Sequence, residues 1–155
     1  GFQMLGQRID DPDGLEGQSR SYRGLQLLDF ETTLKPGKQL HRVKGILNLP
    51  GEAYIEGYEI HSGISSGPAL DRPAVHLSDK VDGVISDDDQ VLGTYLHGLF
   101  DQQSACEALL SWAGVATDAV QLVDYQKLRE EGVERLADAV EQSLGYEKLA
   151  AILNL

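Results

Sequence analysis

Thr94-Tyr95-Leu96-His97-Gly98-Leu99-Phe100 decides how this chain is read. An apolar strand runs into a histidine, and the glycine behind it lets the backbone turn sharply. A His at the carboxyl edge of a strand stands where open α/β sheets keep their reactive groups. Its imidazole ionises near neutrality, which suits it to carry a proton between a nucleophile and a leaving group. A His that hydrogen-bonds locally to close a strand-to-helix turn fits the same spacing, so spacing alone leaves both roles open.

Working outward, Val91 to Leu96 and Gly83-Val84-Ile85-Ser86 flank the acidic turn Asp87-Asp88-Asp89-Gln90 and predict a hairpin. Residues 39–46 alternate apolar and polar, as a half-exposed antiparallel strand does. Ala53 to His61 predicts another strand, with Tyr58 and Ile60 on one face and Glu59 and His61 on the other. Ala74 to Leu77 is a weaker strand, and Leu25 to Phe30 a candidate in which Leu27-Leu28 also suits a turn. Gly1 to Gly6 reads as a short helical turn, and the Asp, Pro and Gly cluster over residues 10–22 as a surface loop.

The last third changes period. Asp101 or Ser104 caps a predicted helix through Ala105, Leu109, Leu110 and Trp112, with Gly114 as its stop. Val133, Leu136, Val140 and Leu144 recur at helical spacing, Gly145 breaks that helix, and Tyr146 to Leu153 forms a short terminal one. These C-terminal helices are expected to cover one face of the sheet. Strands followed by helices read by themselves as α+β; a segment ahead of Gly1 restores an α/β alternation.

The 155 residues suit one compact domain. Twenty-five acidic against 13 basic side chains give a net charge of −12, which opposes binding to nucleic acid or to an anionic membrane surface. No apolar run approaches the roughly 20 residues that span a bilayer, and no signal peptide opens the chain. One cysteine, Cys106, excludes an intramolecular disulfide and suggests a cytoplasmic setting. A chain that starts at Gly1 and holds a single Met, Met4, reads as a fragment.

Tyr58-Glu59-Ile60-His61-Ser62-Gly63 repeats the strand, His, small residue, Gly design. Glu59 and His61 share a face, so a dyad or a metal pair is conceivable, though two ligands make a weak site. The expected arrangement is His61 on a rim and Glu59 solvated. His41 and His76 read as surface or packing residues, and Asp87-Asp88-Asp89 lacks calcium-loop spacing. Cys106 sits within a helical pattern with no cation beside it, so it is not expected to be a nucleophile. No Gly-rich phosphate loop is present. His97 thus resembles a general acid and base without a partner: either the chain is no enzyme, or its nucleophile lies upstream of Gly1.

Three ordered motifs carry a family resemblance. Gly1-Phe2-Gln3 is similar to the end of the Gly-x-Cys-x-Gly-x-Gln nucleophile elbow of class I glutamine amidotransferases. Gly93 to Phe100 resembles the signature of the cobyric acid synthases within that class. Gly57-Tyr58-Glu59-Ile60-His61-x-Gly63 and Gly24-x-x-Leu27-Leu28-Asp29-x-Glu31-Thr32 resemble further segments of those enzymes, as do Arg42-Val43-x-Gly45 and Asp82-Gly83.

The resemblance implies an α/β fold: a partial class I amidotransferase (flavodoxin-like) sheet with flanking helices and its N-terminal part missing. Residues 1–155 would be the C-terminal portion of the domain, with a sheet-containing core over 1–114 and helices over 115–155. It implies His97 as the catalytic His for an absent Cys two residues before Gly1. Among the implied substrate-binding residues, Gln3 would lie on the glutamine-binding side and Gly1 near the oxyanion hole, with His61 and Ser62 lining the glutamine pocket, although the family more often has Met where Ser62 stands. Many class I enzymes orient this His with a Glu two residues on; position 99 here is Leu.

The implied reaction is glutamine hydrolysis supplying ammonia for amidation of cobyrinic acid a,c-diamide carboxylates in cobalamin synthesis. The implied partners are glutamine and, through an N-terminal synthetase domain using ATP and Mg2+, the corrinoid. Without its Cys the fragment should be inactive, and its exposed apolar surface favours a homo-oligomer. The alternatives are the related a,c-diamide synthase and a non-catalytic partner-binding domain in which both histidines are structural.

Overall fold

The computed structural model describes residues 1–51, 53–116 and 125–153. Its centre is a long antiparallel ribbon. Strand β3 (Glu31–Leu47) and strand β4 (Tyr54–Ser66) pair from Ile46↔Tyr54 to Glu31↔Ser66, with a shift of register between Leu34 and Gln39. Pro36 and Gly37 fall in that irregular stretch, Gly37 with φ of +97°. Their turn chemistry hides the first half of β3 from a pattern search, which finds only the alternating residues 39–46.

Around the ribbon the sheet grows in both directions. Strand β1 (Arg8–Asp11) joins β3 in parallel and carries β2 (Arg20–Arg23) antiparallel on its other edge. Strand β5 (Val75–Leu77) pairs with the far end of β3 and with β6 (Val81–Asp82). The hairpin of β7 (Val84–Ile85) and β8 (Leu92–Gly93) forms a separate two-stranded sheet, and β9 (Leu96–His97) then pairs with β4. Helices α1 (Gln103–Trp112), α2 (Tyr125–Leu144) and α3 (Tyr146–Leu153) follow. The chain is thus a mixed α/β protein with a multistranded sheet and flanking helices.

Two apolar clusters hold it together. One packs Leu47, Ile55, Val75, Ile85 and Leu96 of the sheets against Ala105 and Leu109 of α1. The other joins Phe2, Leu28, Phe30 and Val84 beneath the amino end.

Several local expectations change. The loop expected over residues 10–22 is bounded by strand residues, β1 reaching Asp11 and β2 starting at Arg20. Leu25 to Phe30 is not a strand. Its amides are taken by the opening turn instead: Leu25 N donates to Met4 O at 2.7 Å, Gln26 N to Gly6 O at 3.0 Å and Leu28 N to Leu5 O at 3.0 Å. Helix α1 starts after Gln102, and neither Asp101 nor Ser104 caps it; the Ser104 hydroxyl donates to the Tyr54 carbonyl at 3.1 Å. Gly114 does stop that helix, with φ of +80°. Gly145 separates α2 from α3 with φ of +74°. Helix α2 leaves its apolar stripe uncovered: Val133, Leu136, Val140 and Leu144 are all exposed, and only its start, at Tyr125 and Arg129, lines a pocket with Arg42, Glu56 and Tyr58 of the sheet. The adjoining sheet face is filled by α1, so the helical periodicity of α2 identified its conformation without identifying what it packs on.

Candidate active site

The amino end forms the floor of the site. Residues Phe2–Leu5 make a single 3-10 turn after Gly1, closed by Met4 N donating to Gly1 O at 3.0 Å. Phe2 anchors it, stacked on Phe30 with ring centroids 4.8 Å apart and meeting Tyr95 edge-on at 4.8 Å. Gly93 leaves room for this packing, since a Cβ there would lie 2.5 Å from Leu5 Cδ1 and 2.7 Å from Phe2 Cδ2. The turn is therefore tied to the strand residues that lead into His97.

His97 is fixed through its backbone. It ends β9 opposite Tyr58, and its carbonyl lies against the Cα of Gly57, where a side chain would collide. Gly98 follows with φ of +85°, and Asp101 N donates to its carbonyl at 3.0 Å. Asp82, buried to 8% exposure, pins the approach to β9: it accepts from the Thr94 hydroxyl and from Tyr95 N, the latter at 3.0 Å. The His97 ring is exposed, and no described residue hydrogen-bonds it. Leu99 packs into the main apolar cluster, so position 99 supplies no orienting carboxylate.

His61 is held differently. Its Nδ1 lies 2.8 Å from the Gly63 carbonyl and its Nε2 2.8 Å from Glu59 Oε1, while its face stacks on Tyr95 with centroids 3.9 Å apart. Both ring nitrogens thus meet acceptors. The Tyr95 hydroxyl lies 2.8 Å from Ser65 Oγ, which is 2.7 Å from the buried Thr32 Oγ1, so the stack is braced from behind. Glu59 is not solvated as expected; it is only 4% exposed. The period of β4 explains this, because Glu59 continues the inward face of Ile55 and Gly57. Lys80 Nζ donates to both its oxygens, at 2.8 and 2.6 Å. Desolvation pushes the Glu59 pKa up, but the hydrogen bonds from Lys80 and His61 outweigh it, and the carboxyl titrates below its ordinary value. Glu59 and His61 are thus engaged with Lys80 and a backbone carbonyl, which leaves them poorly placed as a metal pair. Among the described residues no group of three His, Cys, Asp or Glu side chains is arranged to hold a metal ion.

These elements enclose an open cleft of about 360 Å³. Gly1, Gln3, His61, Ser62 and His97 all line it, so residues separated by up to 96 positions share one wall system. The Gln3 amide crosses the α-carbon of Gly63, leaving no space there for a side chain. Gly1 itself is open, with nothing within 4 Å of where a Cβ would stand.

Tyr95, Thr94 and Glu16 also line the cleft and carry no expectation from the sequence. Tyr95 and Thr94 were legible as neighbours of His97, but Glu16 lies in a turn whose composition gives no functional signal. Cys106, on α1, is not among the lining residues. His41 and His76 are exposed, and the acidic turn closes on itself, Asp88 accepting from the Ser86 hydroxyl at 2.6 Å. No described helix is long and apolar enough to cross a membrane.

A family model described as a CobB/CobQ-like glutamine amidotransferase domain matches residues 1–105, a span that contains every residue lining the cleft.

Proposed function

The chain belongs to the CobB/CobQ-like glutamine amidotransferase family, and we propose that it is the glutaminase part of a cobyric acid synthase-type enzyme. In that role it releases ammonia from glutamine for ATP-dependent amidation of side-chain carboxylates on cobyrinic acid a,c-diamide, in the cytoplasm. The observation that supports this best is the convergence of the amino-terminal turn, the His61 segment and His97 on one cleft.

The chemistry follows from those groups. A cysteine thiolate attacks the γ-carbonyl carbon of glutamine, and the resulting oxyanion is met by backbone N–H groups of the elbow. The His97 imidazolium gives its proton to the departing nitrogen as the C–N bond breaks, leaving a thioester and ammonia. His97 then takes a proton from water, which attacks the thioester, and glutamate leaves as the C–S bond breaks. The exposed, unbonded His97 ring suits a group that must exchange protons at both steps. The stacked His61 and Tyr95 form a rigid wall against the amide.

We assign the nucleophile to a Cys two residues ahead of Gly1, from the similarity of Gly1-Phe2-Gln3 to the end of the elbow. The 155 residues alone would then be inactive. The amidation step would also use ATP and Mg2+, and the sequence carries no Gly-rich phosphate-loop motif for them. We assign these, with the corrinoid, to a separate synthetase domain.

In the protein carrying the elbow Cys, His97→Ala should lower ammonia release by about 10²–10⁴-fold, the usual contribution of a positioned acid and base, with the thermal transition unchanged. Unaltered turnover refutes the assignment. Supplying ATP and glutamine with either corrinoid, and following which is consumed, separates cobyric acid synthesis from the earlier a,c-diamide step.

A further inference from the structure

His61 and His97 line the same cleft but are bonded in opposite ways. The His97 ring has no hydrogen-bond partner among the described residues. Both nitrogens of His61 face oxygen acceptors at 2.8 Å, the Gly63 carbonyl at Nδ1 and Glu59 Oε1 at Nε2. A neutral imidazole carries one N–H, so either tautomer would set a lone pair against one of those oxygens. Only the doubly protonated ring donates to both. The surroundings suit a cation. Glu59 is 4% exposed, which leaves its charge little screened by water, and Tyr95 stacks its ring face on the imidazole with centroids 3.9 Å apart. Lys80 Nζ, from the turn between β5 and β6, donates to both Glu59 oxygens at 2.8 and 2.6 Å and keeps that carboxylate ionised.

We propose that Glu59 is a positioning residue that holds His61 as an imidazolium, a fixed cation in the cleft wall. Its use rests on the glutaminase reading, under which the reaction brings negative charge into the cleft, first as thiolate and then as oxyanion. Lys80, Glu59 and His61 then sum to one positive charge, and His61 is the member of the three that lines the cleft. Both of its protons are committed to protein acceptors, so proton transfer falls to His97. The other ionisable side chains lining the cleft are Glu16, Tyr95 and His97; all three stay in place in the comparisons below.

The test uses the amidotransferase carrying its elbow Cys. Heteronuclear NMR of the imidazole rings at neutral pH, with His61 assigned by its loss in His61→Gln, should show both ring nitrogens of His61 protonated. The rate at which iodoacetamide alkylates the elbow Cys, followed against pH, reads the charge in the cleft. His61→Gln should raise the midpoint of that profile by about one pH unit, the effect of a unit charge about 10 Å away at an effective dielectric of about 20. Glu59→Gln should raise it by about half a unit, because the new amide donates to a neutral His61 and the anion is lost with the cation. The double variant should match Glu59→Gln, since His61 carries no charge in either. A merely structural Glu59 gives the opposite sign, because removing an anion near the cleft favours the thiolate. One protonated ring nitrogen in the parent, an unmoved midpoint in His61→Gln, or a lowered midpoint in Glu59→Gln overturns the proposal while glutamine hydrolysis by the parent stands. The spectra of the parent need no Glu59 variant, so they decide the matter even if Glu59→Gln does not fold. A parent that does not hydrolyse glutamine overturns the glutaminase reading instead, and the same spectra still decide the state of His61.

Discussion

Replacing Gly57 by Ala tests whether the position of His97 is set by its backbone. A Cβ at Gly57 would stand 3.2 Å from the His97 carbonyl carbon and closer still to its oxygen, far inside the distance real Cβ atoms keep. It would also lie 3.2 Å from Leu96 Cδ1, which is packed in the main core and cannot swing away. The strain therefore falls on the pairing of β9 with β4, and β9 must retreat by about 1 Å, a displacement that costs on the order of 10²-fold in rate when a catalytic group is moved. Overpacking of this kind destabilises by about 1–3 kcal/mol. At about 2–4 °C per kcal/mol for a domain of this size, the midpoint should drop by about 2–12 °C. Calorimetry and glutamine turnover on the elbow-containing protein read both effects. Gly132→Ala serves as the control, because a methyl there meets nothing within 4 Å. Unchanged turnover in Gly57→Ala, with a lowered midpoint, would show that the exact seat of His97 does not matter and would refute the reasoning.

Glu59 gives a pH prediction. Its folded pKa lies below the ordinary value of 4.5, so its stabilisation is present above that value and disappears as pH falls through the folded pKa. Glu59→Gln should therefore flatten the loss of stability on acidification below about pH 4.5, measured by denaturant midpoints across the acid range; an identical acid profile counts against the Lys80–Glu59–His61 network. Asp11, fully buried, accepts from the amides of Leu15 at 2.8 Å and Glu16 at 2.9 Å; Asp11→Ala should leave them without acceptors, costing about 1–3 kcal/mol, and should expose the turn to proteolysis between β1 and β2. Cleavage at the parent rate would mean that Asp11 does not hold the turn.

Much of the site was visible in the chain before folding. His97 and His61 each sit in a short motif whose glycines mark close approaches, and the structure gives those approaches a cause: Gly57 admits the His97 carbonyl, and Gly63 admits the Gln3 side-chain amide, whereas Gly1 stands open. Glu59 was misjudged because a charged residue on an alternating strand is usually solvated. Only its register against β9, and the arrival of Lys80 from another loop, make the inward position tolerable.

The amino-acid order by itself determined what local physics controls: the alternation of β4, the hairpin around Asp87 to Asp89, the glycine stops at Gly114 and Gly145, and the strand that ends on His97. Tertiary structure alone decided that Leu25 to Leu28 would bond to the opening turn instead of extending as a strand, that α2 would leave its apolar stripe exposed, and that Glu16 would share a cleft with His97. The division has one physical reason. Propensity and periodicity act over a few neighbouring residues, whereas a buried carboxylate, a backbone clamp or a cleft depends on which distant segments supply the missing hydrogen bonds and charges.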